Sequence, residues 1–462
     1  MSRFSAVRLA RNLGPEKLVV TAVLVWLTLL ALGTFVVSSP FIDQNPTGAP
    51  VWSNTMYLHG LLIGMVGLLG LVAMDVFGAG HKNRLMYNMV LYGTLGAALF
   101  SGVGGIFDRA VTDTVFLWMQ IISFFFLDEI LLTLTLALFF RAVETHFVGT
   151  WAGAFAALGA FGAAVMGHIA GWILEFGNWP AGVVGGYAAL AGETWQQWDV
   201  NLISAHAHLM VLGVIALVVA TTCAYFTHQG DANRLMRFGL WWMALGMVAT
   251  ALIYLAAGFS QAEPPTLFAH TVSGIPGDDF VTGLGVMLGG LVALIGLGAE
   301  RLPDALARWG AVALSAFTLV TVPVVGYYIE LNETVYGHGV GGAAGSGSDA
   351  VYAWFHQDFA LFLVPGLMLL SLILQRFAPA GAVRRDALLA YLTGSLLLFA
   401  GCMLYVFVAP ALYGYTFYVS TLGLALVFAG VVLSVWSLVS PALRADSAAH
   451  DGGAPATPSA AP

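Results

Sequence analysis

The amino-acid sequence predicts an all-α, polytopic membrane protein with twelve transmembrane helices. The 462 residues are 59% hydrophobic and only 9% charged, with a mean hydropathy of +0.87, which is far from the composition of soluble domains. Apolar stretches of about 20 residues, the length that crosses a bilayer, recur along nearly the whole chain. The basic residues fall almost entirely into every second loop, as the positive-inside rule requires.

The predicted spans cover most of the chain and leave short polar ends. Residues 1–16 are polar and basic, and no small-residue cleavage site follows the first span, so we expect a retained helix and not a signal peptide. Residues 1–440 form the predicted transmembrane domain, and the low-complexity residues 441–462 form a disordered cytoplasmic tail. The spans are 17–38, 54–77, 86–106, 115–140, 151–174, 202–226, 235–258, 279–299, 308–328, 352–375, 387–409 and 415–438.

The distribution of charge predicts the orientation. Of the 16 Lys and Arg residues, all but Arg109 lie on the side of the membrane that holds both termini. We therefore expect both termini to be cytoplasmic, with the protein in the plasma (inner) membrane. The outer face is acidic, which favours a basic soluble partner and gives no indication of nucleic-acid binding.

A repeat of about 150 residues divides the twelve spans into three pseudo-symmetric units of four. The tetrapeptide NRLM occurs at 83–86 and at 233–236, and Arg384 lies a further 150 residues along. Each of these sites precedes an odd-numbered span on the cytoplasmic side. Two inverted halves, as in many secondary transporters, do not match this pattern. The predicted units are 17–140, 151–299 and 308–438.

Histidines recur at one predicted membrane depth. His59, His206 and His356 open the second, sixth and tenth spans near the outer face, and His168 lies near the outer end of the fifth. His208 aligns with His59 at a shift of 149 residues. Imidazole is a common ligand of haem iron and of copper, whereas a lone interfacial histidine often binds only a loop carbonyl.

The spacing of His206 and His208 favours two centres over one chelate. Residues at i and i+2 of a helix are about 200° apart, so their side chains point to opposite flanks. Ligands of one metal ion on one helix are usually three or four residues apart. We expect His59 to pair with one of these two histidines across a first pocket, between the second and sixth spans. His356 is expected to pair with the other across a second pocket, between the sixth and tenth spans.

Acidic residues inside the fourth and fifth spans are further candidates. Asp128 and Glu129 lie near the middle of the membrane, where carboxylates are expensive and usually functional. They suit proton transfer, or a hydrogen bond from a protonated acid to a neighbouring helix. Glu175 lies two turns beyond His168 and could join it in a copper or non-haem iron site.

The motifs resemble those of the haem–copper oxidase superfamily, which includes the cytochrome oxidases and the nitric oxide reductases. YLHGLL, with His59, is similar to the family's haem-binding motif on its second helix, and AHAHLMVLG, with His206 and His208, resembles its H-x-H helix. The resemblance implies non-covalent haem b, electron transfer, and reduction of nitric oxide or oxygen. It also implies an electron donor similar to a small cytochrome c or a cupredoxin on the outer face, and a companion membrane subunit.

The sequence departs from the family in specific ways. The H-x-H pair lies on the sixth span and not the tenth, and the His-Pro-x-x-Tyr and adjacent His-His motifs of the copper site are absent. Arg109, the one predicted outer cation, is placed to bind a haem propionate or to pair with Asp108 or Asp113. Two alternatives stay open: a membrane transporter or sensor for copper or haem, and a non-catalytic assembly partner of a respiratory complex.

Overall fold

The structure, a computed structural model, is helical throughout its described residues. These residues are 6–38, 51–110, 114–176, 195–227, 232–260, 283–299, 364–408 and 413–450. In chain order the helices are α1 (Ala6–Ser38), α2 (Val51–Val76), α3 (Ala79–Lys82), α4 (Arg84–Ala110), α5 (Thr114–Thr145), α6 (Val148–Phe176), α7 (Trp195–Thr227), α8 (Arg234–Ser260), a π-helical segment (Gly283–Leu288) that leads into α9 (Gly289–Ala299), α10 (Val364–Phe377), α11 (Ala382–Val408) and α12 (Tyr413–His450).

The expected all-α membrane character is confirmed. Six apolar segments of the described residues have the length and composition to cross a membrane, and they lie in α1, α5, α6, α7, α8 and α12. The predicted ninth span, 308–328, lies outside the described residues, and every other predicted span overlaps a helix. The number twelve remains a prediction. Helix α12 continues through Pro441 to His450, so the first residues of the predicted tail are helical.

The exterior of the bundle is apolar along the membrane-length helices. Large side chains such as Phe125 and Phe140 on α5, Leu245 and Leu252 on α8, and Tyr418 on α12 are more than half exposed. A soluble protein rarely exposes so much contiguous apolar surface. Lipid tails solvate such side chains, whereas the backbone polar groups are satisfied inside each helix.

Helix α7, which carries the H-x-H pair, is the most enclosed of the six apolar segments. In α7, 83% of the segment is buried, against 28–56% in the other five. Helices α2, α7 and α10 contact one another, and we call these three helices the hub. Around the hub, α5 packs on α6, and the last helix, α12, packs on the first, α1.

Close approach of α6 and α7 depends on small residues. A side chain at Gly213 of α7 would meet the backbone oxygen of Ala156 at 3.0 Å and the Cβ of Ala160 at 3.1 Å. Small residues let helix backbones approach where lipid provides no hydrophobic driving force. This seam fixes α7 against the first half of α6.

The NRLM repeat is a pair of matching helix caps. The Oδ1 of Asn83 accepts a hydrogen bond from the Met86 amide at 3.1 Å, and the Oδ1 of Asn233 accepts one from the Met236 amide at 2.8 Å. Both asparagines satisfy an amide that the first turn of a helix leaves unpaired. The third helix of this kind, α11, begins at Ala382, two residues before Arg384.

One ion pair joins the hub helices at the end that carries the basic loops. The Nε of Arg376, at the end of α10, donates to Oδ2 of Asp75, at the end of α2, at 2.5 Å, and its Nη2 donates to Oδ1 at 3.3 Å. Partial burial lowers the pKa of Arg376, but the hydrogen bond and the charge of Asp75 outweigh it, so the pKa is raised. The pair is therefore bidentate, with two nitrogens of one guanidinium on the two oxygens of one carboxylate.

Removing this pair should loosen the hub. We expect Arg376→Gln to lower the thermal unfolding temperature of the detergent-solubilised protein, measured by circular dichroism. A double-mutant cycle with Asp75→Asn should give a coupling of about 0.5–1 kcal/mol, because the Arg376 side chain is half exposed. Arg385→Gln is the matched control, since its partner Asp386 is its own sequence neighbour. Strictly additive effects of the two hub substitutions would contradict the coupling.

Candidate functional site

His206 is held in a defined orientation by the neighbouring helix. Its Nδ1 lies 2.6 Å from the backbone oxygen of Ala163 on α6. A carbonyl oxygen only accepts, so Nδ1 carries the proton and donates. In the neutral imidazole the lone pair therefore belongs to Nε2. Metal-binding histidines are typically oriented in this way, by a hydrogen bond from their other ring nitrogen to a carbonyl oxygen.

His59 on α2 faces the His206 ring across the interface of α2 and α7. The two ring centroids are 6.2 Å apart, and the ring planes differ by 8°. The two rings are stacked, so two imidazoles lie together where α2 meets α7.

Asp128 on α5 and His168 on α6 form a second polar pair. The His168 Nδ1 lies 2.9 Å from Asp128 Oδ2, and both side chains are mostly buried. The other two polar atoms, Asp128 Oδ1 and His168 Nε2, are buried and have no hydrogen-bond partner among the described residues. The carboxylate thus fixes the His168 ring and leaves Nε2 available, which parallels the state of His206.

Phenylalanine 124 on α5 links the two histidine pairs. Its ring centroid is 5.8 Å from that of His59 and 5.3 Å from that of His168. Phe125 contacts His168 from another side, at 6.1 Å. The imidazoles therefore lie in an aromatic setting in which polar interactions are stronger than in water.

His208 faces away from this cluster. Its ring stacks on Tyr254 of α8, with centroids 5.5 Å apart and planes 11° apart. His206 contacts α2 and α6, so the two histidines of the H-x-H motif contact different helices, as their spacing predicts. Together they do not chelate one ion.

The remaining predicted residues are placed only in part. Glu129 is half-buried on α5, next to Asp128. Arg109 and Glu175 lie in the last turns of α4 and α6, and the described part of the structure does not extend to their side chains. His356, the predicted partner from the third unit, lies outside the described residues. Within the described ranges, no group of three or more His, Cys, Asp or Glu side chains is placed to hold a metal ion.

Several contributors to the site carry no local sequence signal. Asp128 and His168 are 40 residues apart, and only the packing of α5 on α6 joins them. Ala163 acts through its backbone, and Phe124 is one of three consecutive phenylalanines. Tyr254 lies one span beyond His208. A search for buried aromatic residues near the outer ends of the spans would have selected Phe124 and Tyr254.

The fold and the site define a helical membrane protein with imidazoles at the centre of its bundle. No protein-family model, no curated protein and no solved structure matches the chain.

The Asp128–His168 pair should contribute more to the stability of the fold than the neighbouring carboxylate of Glu129 does. We expect Asp128→Ala to destabilise the detergent-solubilised protein by about 1–3 kcal/mol, because it leaves the His168 Nδ1 donor buried without a partner. Glu129→Ala, one residue away, is the control and should have a smaller effect. Thermal unfolding of both variants, and of each combined with His168→Gln, measures the difference. Equal losses at 128 and 129 would show that the pair is not stabilising.

Proposed function

We propose that the chain is a haem-binding integral membrane subunit that transfers electrons, a divergent relative of the haem–copper oxidases. The observation that supports this proposal most directly is the His59–His206 pair, in which two imidazoles stack between α2 and α7 and Nδ1 of His206 is anchored to α6. The sequence motifs around both histidines resemble the haem-binding motifs of that superfamily.

Two histidines suit haem better than a bare metal ion. A porphyrin supplies four nitrogen ligands, so two axial imidazoles complete the coordination of its iron. A structural zinc or copper site needs three or four side chains, and no such group occurs among the described residues. When bound, haem would supply one-electron chemistry.

The chain's own residues would do three things at this centre. His59 and His206 would hold the group, and the Ala163 carbonyl would keep the His206 ring oriented and raise the basicity of Nε2. Phe124 would keep water from the flank of the rings. The Asp128–His168 pair, assisted by Glu129, would hold and pass protons within the membrane.

His208 supports a second centre in the same proposal. Its ring stacks on Tyr254 of α8 and not on the His59–His206 pair. His356 would be its partner from the third unit. A second haem would lie between these two histidines, whereas copper or non-haem iron would be held by His168 with Glu175. Arg109 would bind a propionate at the outer surface.

Helix contacts support the three-unit architecture. The third and fourth helices of each predicted unit pack together, as α4 with α5, α8 with α9, and α11 with α12. The fourth helix of one unit packs on the first helix of the next, as α5 on α6 and α12 on α1. The hub consists of the second helix of each unit. These contacts support the proposal of a closed ring of twelve helices, in which the ninth span, outside the described residues, would complete the third unit.

The same proposal includes orientation and partners. Both termini would be cytoplasmic in the plasma (inner) membrane, and a cytochrome c-like or cupredoxin-like donor would dock on the acidic outer face, with a companion membrane subunit alongside. Nitric oxide and oxygen are the substrates that the resemblance implies. Reduction of either gas would make the chain a terminal oxidase or a nitric oxide reductase.

Purified protein should show a haem b spectrum that depends on the site histidines. We expect a Soret band in the wild type, a stoichiometric pyridine-haem assay, and loss of most bound haem in His59→Ala and His206→Ala, because each removes an axial ligand. His146→Asn is the control, since His146 is exposed and has a φ of 55°, which asparagine tolerates.

Metal analysis of the same samples separates the alternatives. Stoichiometric copper without haem would favour a copper transporter or sensor and would overturn the proposal. Absence of any cofactor, together with co-purification of another membrane complex, would favour an assembly partner.

The orientation can be tested with introduced cysteines. We expect Lys82→Cys and Arg385→Cys to react with a membrane-impermeant maleimide only in inverted vesicles, and Gln44→Cys only in right-side-out vesicles, because basic loops remain cytoplasmic. Quantitative labelling of protein from both vesicle types measures this, with the unsubstituted chain as the background control. Labelling of positions 82 and 44 from the same side would contradict the predicted topology.

A further inference from the structure

Helix α6 forms a cradle for the His206 ring within a single turn. Ala163 and Gly167 are four residues apart and so lie on the same face of α6. Ala163 offers its backbone oxygen to His206 Nδ1 at 2.6 Å. The residue one turn later, Gly167, is where the same ring lies against the helix backbone.

Only glycine fits at position 167 beside this ring. A Cβ atom there would collide with the imidazole Cε1 and would lie 2.5 Å from Nδ1 and 2.9 Å from Nε2. Ordinary contacts begin at 3.4 Å. A methyl group would therefore displace the ring from its present position, and with it the hydrogen bond to Ala163.

The helices have little freedom to separate and relieve this collision. About two to three turns from Gly167 along α6, Gly213 of α7 rests against Ala160 and Ala156 with no space for a side chain. The seam between α6 and α7 is thus tight below the ring as well as at the ring. A side chain at position 167 would therefore be accommodated by a change in the side-chain torsion angles of His206.

We propose that Gly167 is a positioning residue that, with the Ala163 carbonyl, fixes the tautomer and orientation of His206 before any ligand binds. The proposal rests on the proposed function for the role of His206 as a metal ligand. The claim that Gly167 and Ala163 orient the His206 ring does not depend on that function, because the hydrogen bond and the packing involve only protein atoms. A ring fixed in advance costs less conformational entropy on ligation, which increases affinity.

Gly153 supplies a matched control on the same helix. A Cβ at 153 would meet Phe77 at 3.4 Å and Leu138 at 3.5 Å, both ordinary contacts with side chains. Gly153→Ala therefore makes the same chemical change on α6 without touching His206. Both substitutions also carry the same gain in helix propensity.

The test uses full-length protein with ¹⁵N-labelled histidine in detergent micelles. His206→Gln assigns the His206 signals. In the wild type and in Gly153→Ala we expect a neutral ring with the proton on Nδ1 and a strongly hydrogen-bonded N–H. In Gly167→Ala we expect this signal to shift to that of a ring without the Ala163 bond. An unchanged His206 signal in a folded Gly167→Ala variant would overturn the proposal.

Haem titration of the same three proteins supplies the second readout. Loss of an outer partner of a ligating histidine typically costs about 10–100-fold in affinity, so Gly167→Ala should weaken haem binding by that factor relative to Gly153→Ala. Equal affinities would overturn the positioning role. A wild type that shows the expected tautomer but binds no haem would reject the proposed function and leave the cradle established.

Discussion

The close packing of α6 against α7 is the constraint on which the rest of the site depends. Inside a membrane, lipid tails are as apolar as leucine, so burial of apolar side chains gives helices little reason to associate. Contact between backbones then supplies the attraction, and it requires small residues on the seam. Ala156, Ala160 and Gly213 provide that contact, and they bring the middle of α6 within hydrogen-bonding distance of a side chain on α7.

The same kind of hydrogen bond orients two histidines of the site. His206 and His168 lie on neighbouring helices, and each has its Nδ1 engaged by an oxygen of an adjacent helix. The acceptor is a backbone carbonyl in one case and a carboxylate in the other. The carbonyl offers a single acceptor atom, whereas the Asp128 carboxyl has a second oxygen, Oδ1, that is buried without a hydrogen-bond partner among the described residues. The two surroundings suit His206 to the proposed binding of a cofactor and His168 to the proposed transfer of protons.

Composition and periodicity were sufficient to predict helices and their approximate bounds, because a membrane-length apolar run has few structural alternatives. The i, i+2 geometry of His206 and His208 also predicted that they face different helices. The Asp128–His168 pair and the Gly167 cradle were beyond such reasoning, since both depend on which helices touch and at what height. The NRLM repeat had a local cause as well, because Asn83 and Asn233 cap their helices.

The contact between α1 and α12 has a consequence for how the chain is made. Asn12 donates a hydrogen bond to the backbone oxygen of Ala442, 430 residues later, and Arg376 meets Asp75 across 301 residues. A polypeptide inserted from its amino terminus exposes Asp75 and one flank of α1 to lipid and headgroups until the last third of the chain has been synthesised. Both contacts can therefore form only after α10 and α12 have been synthesised.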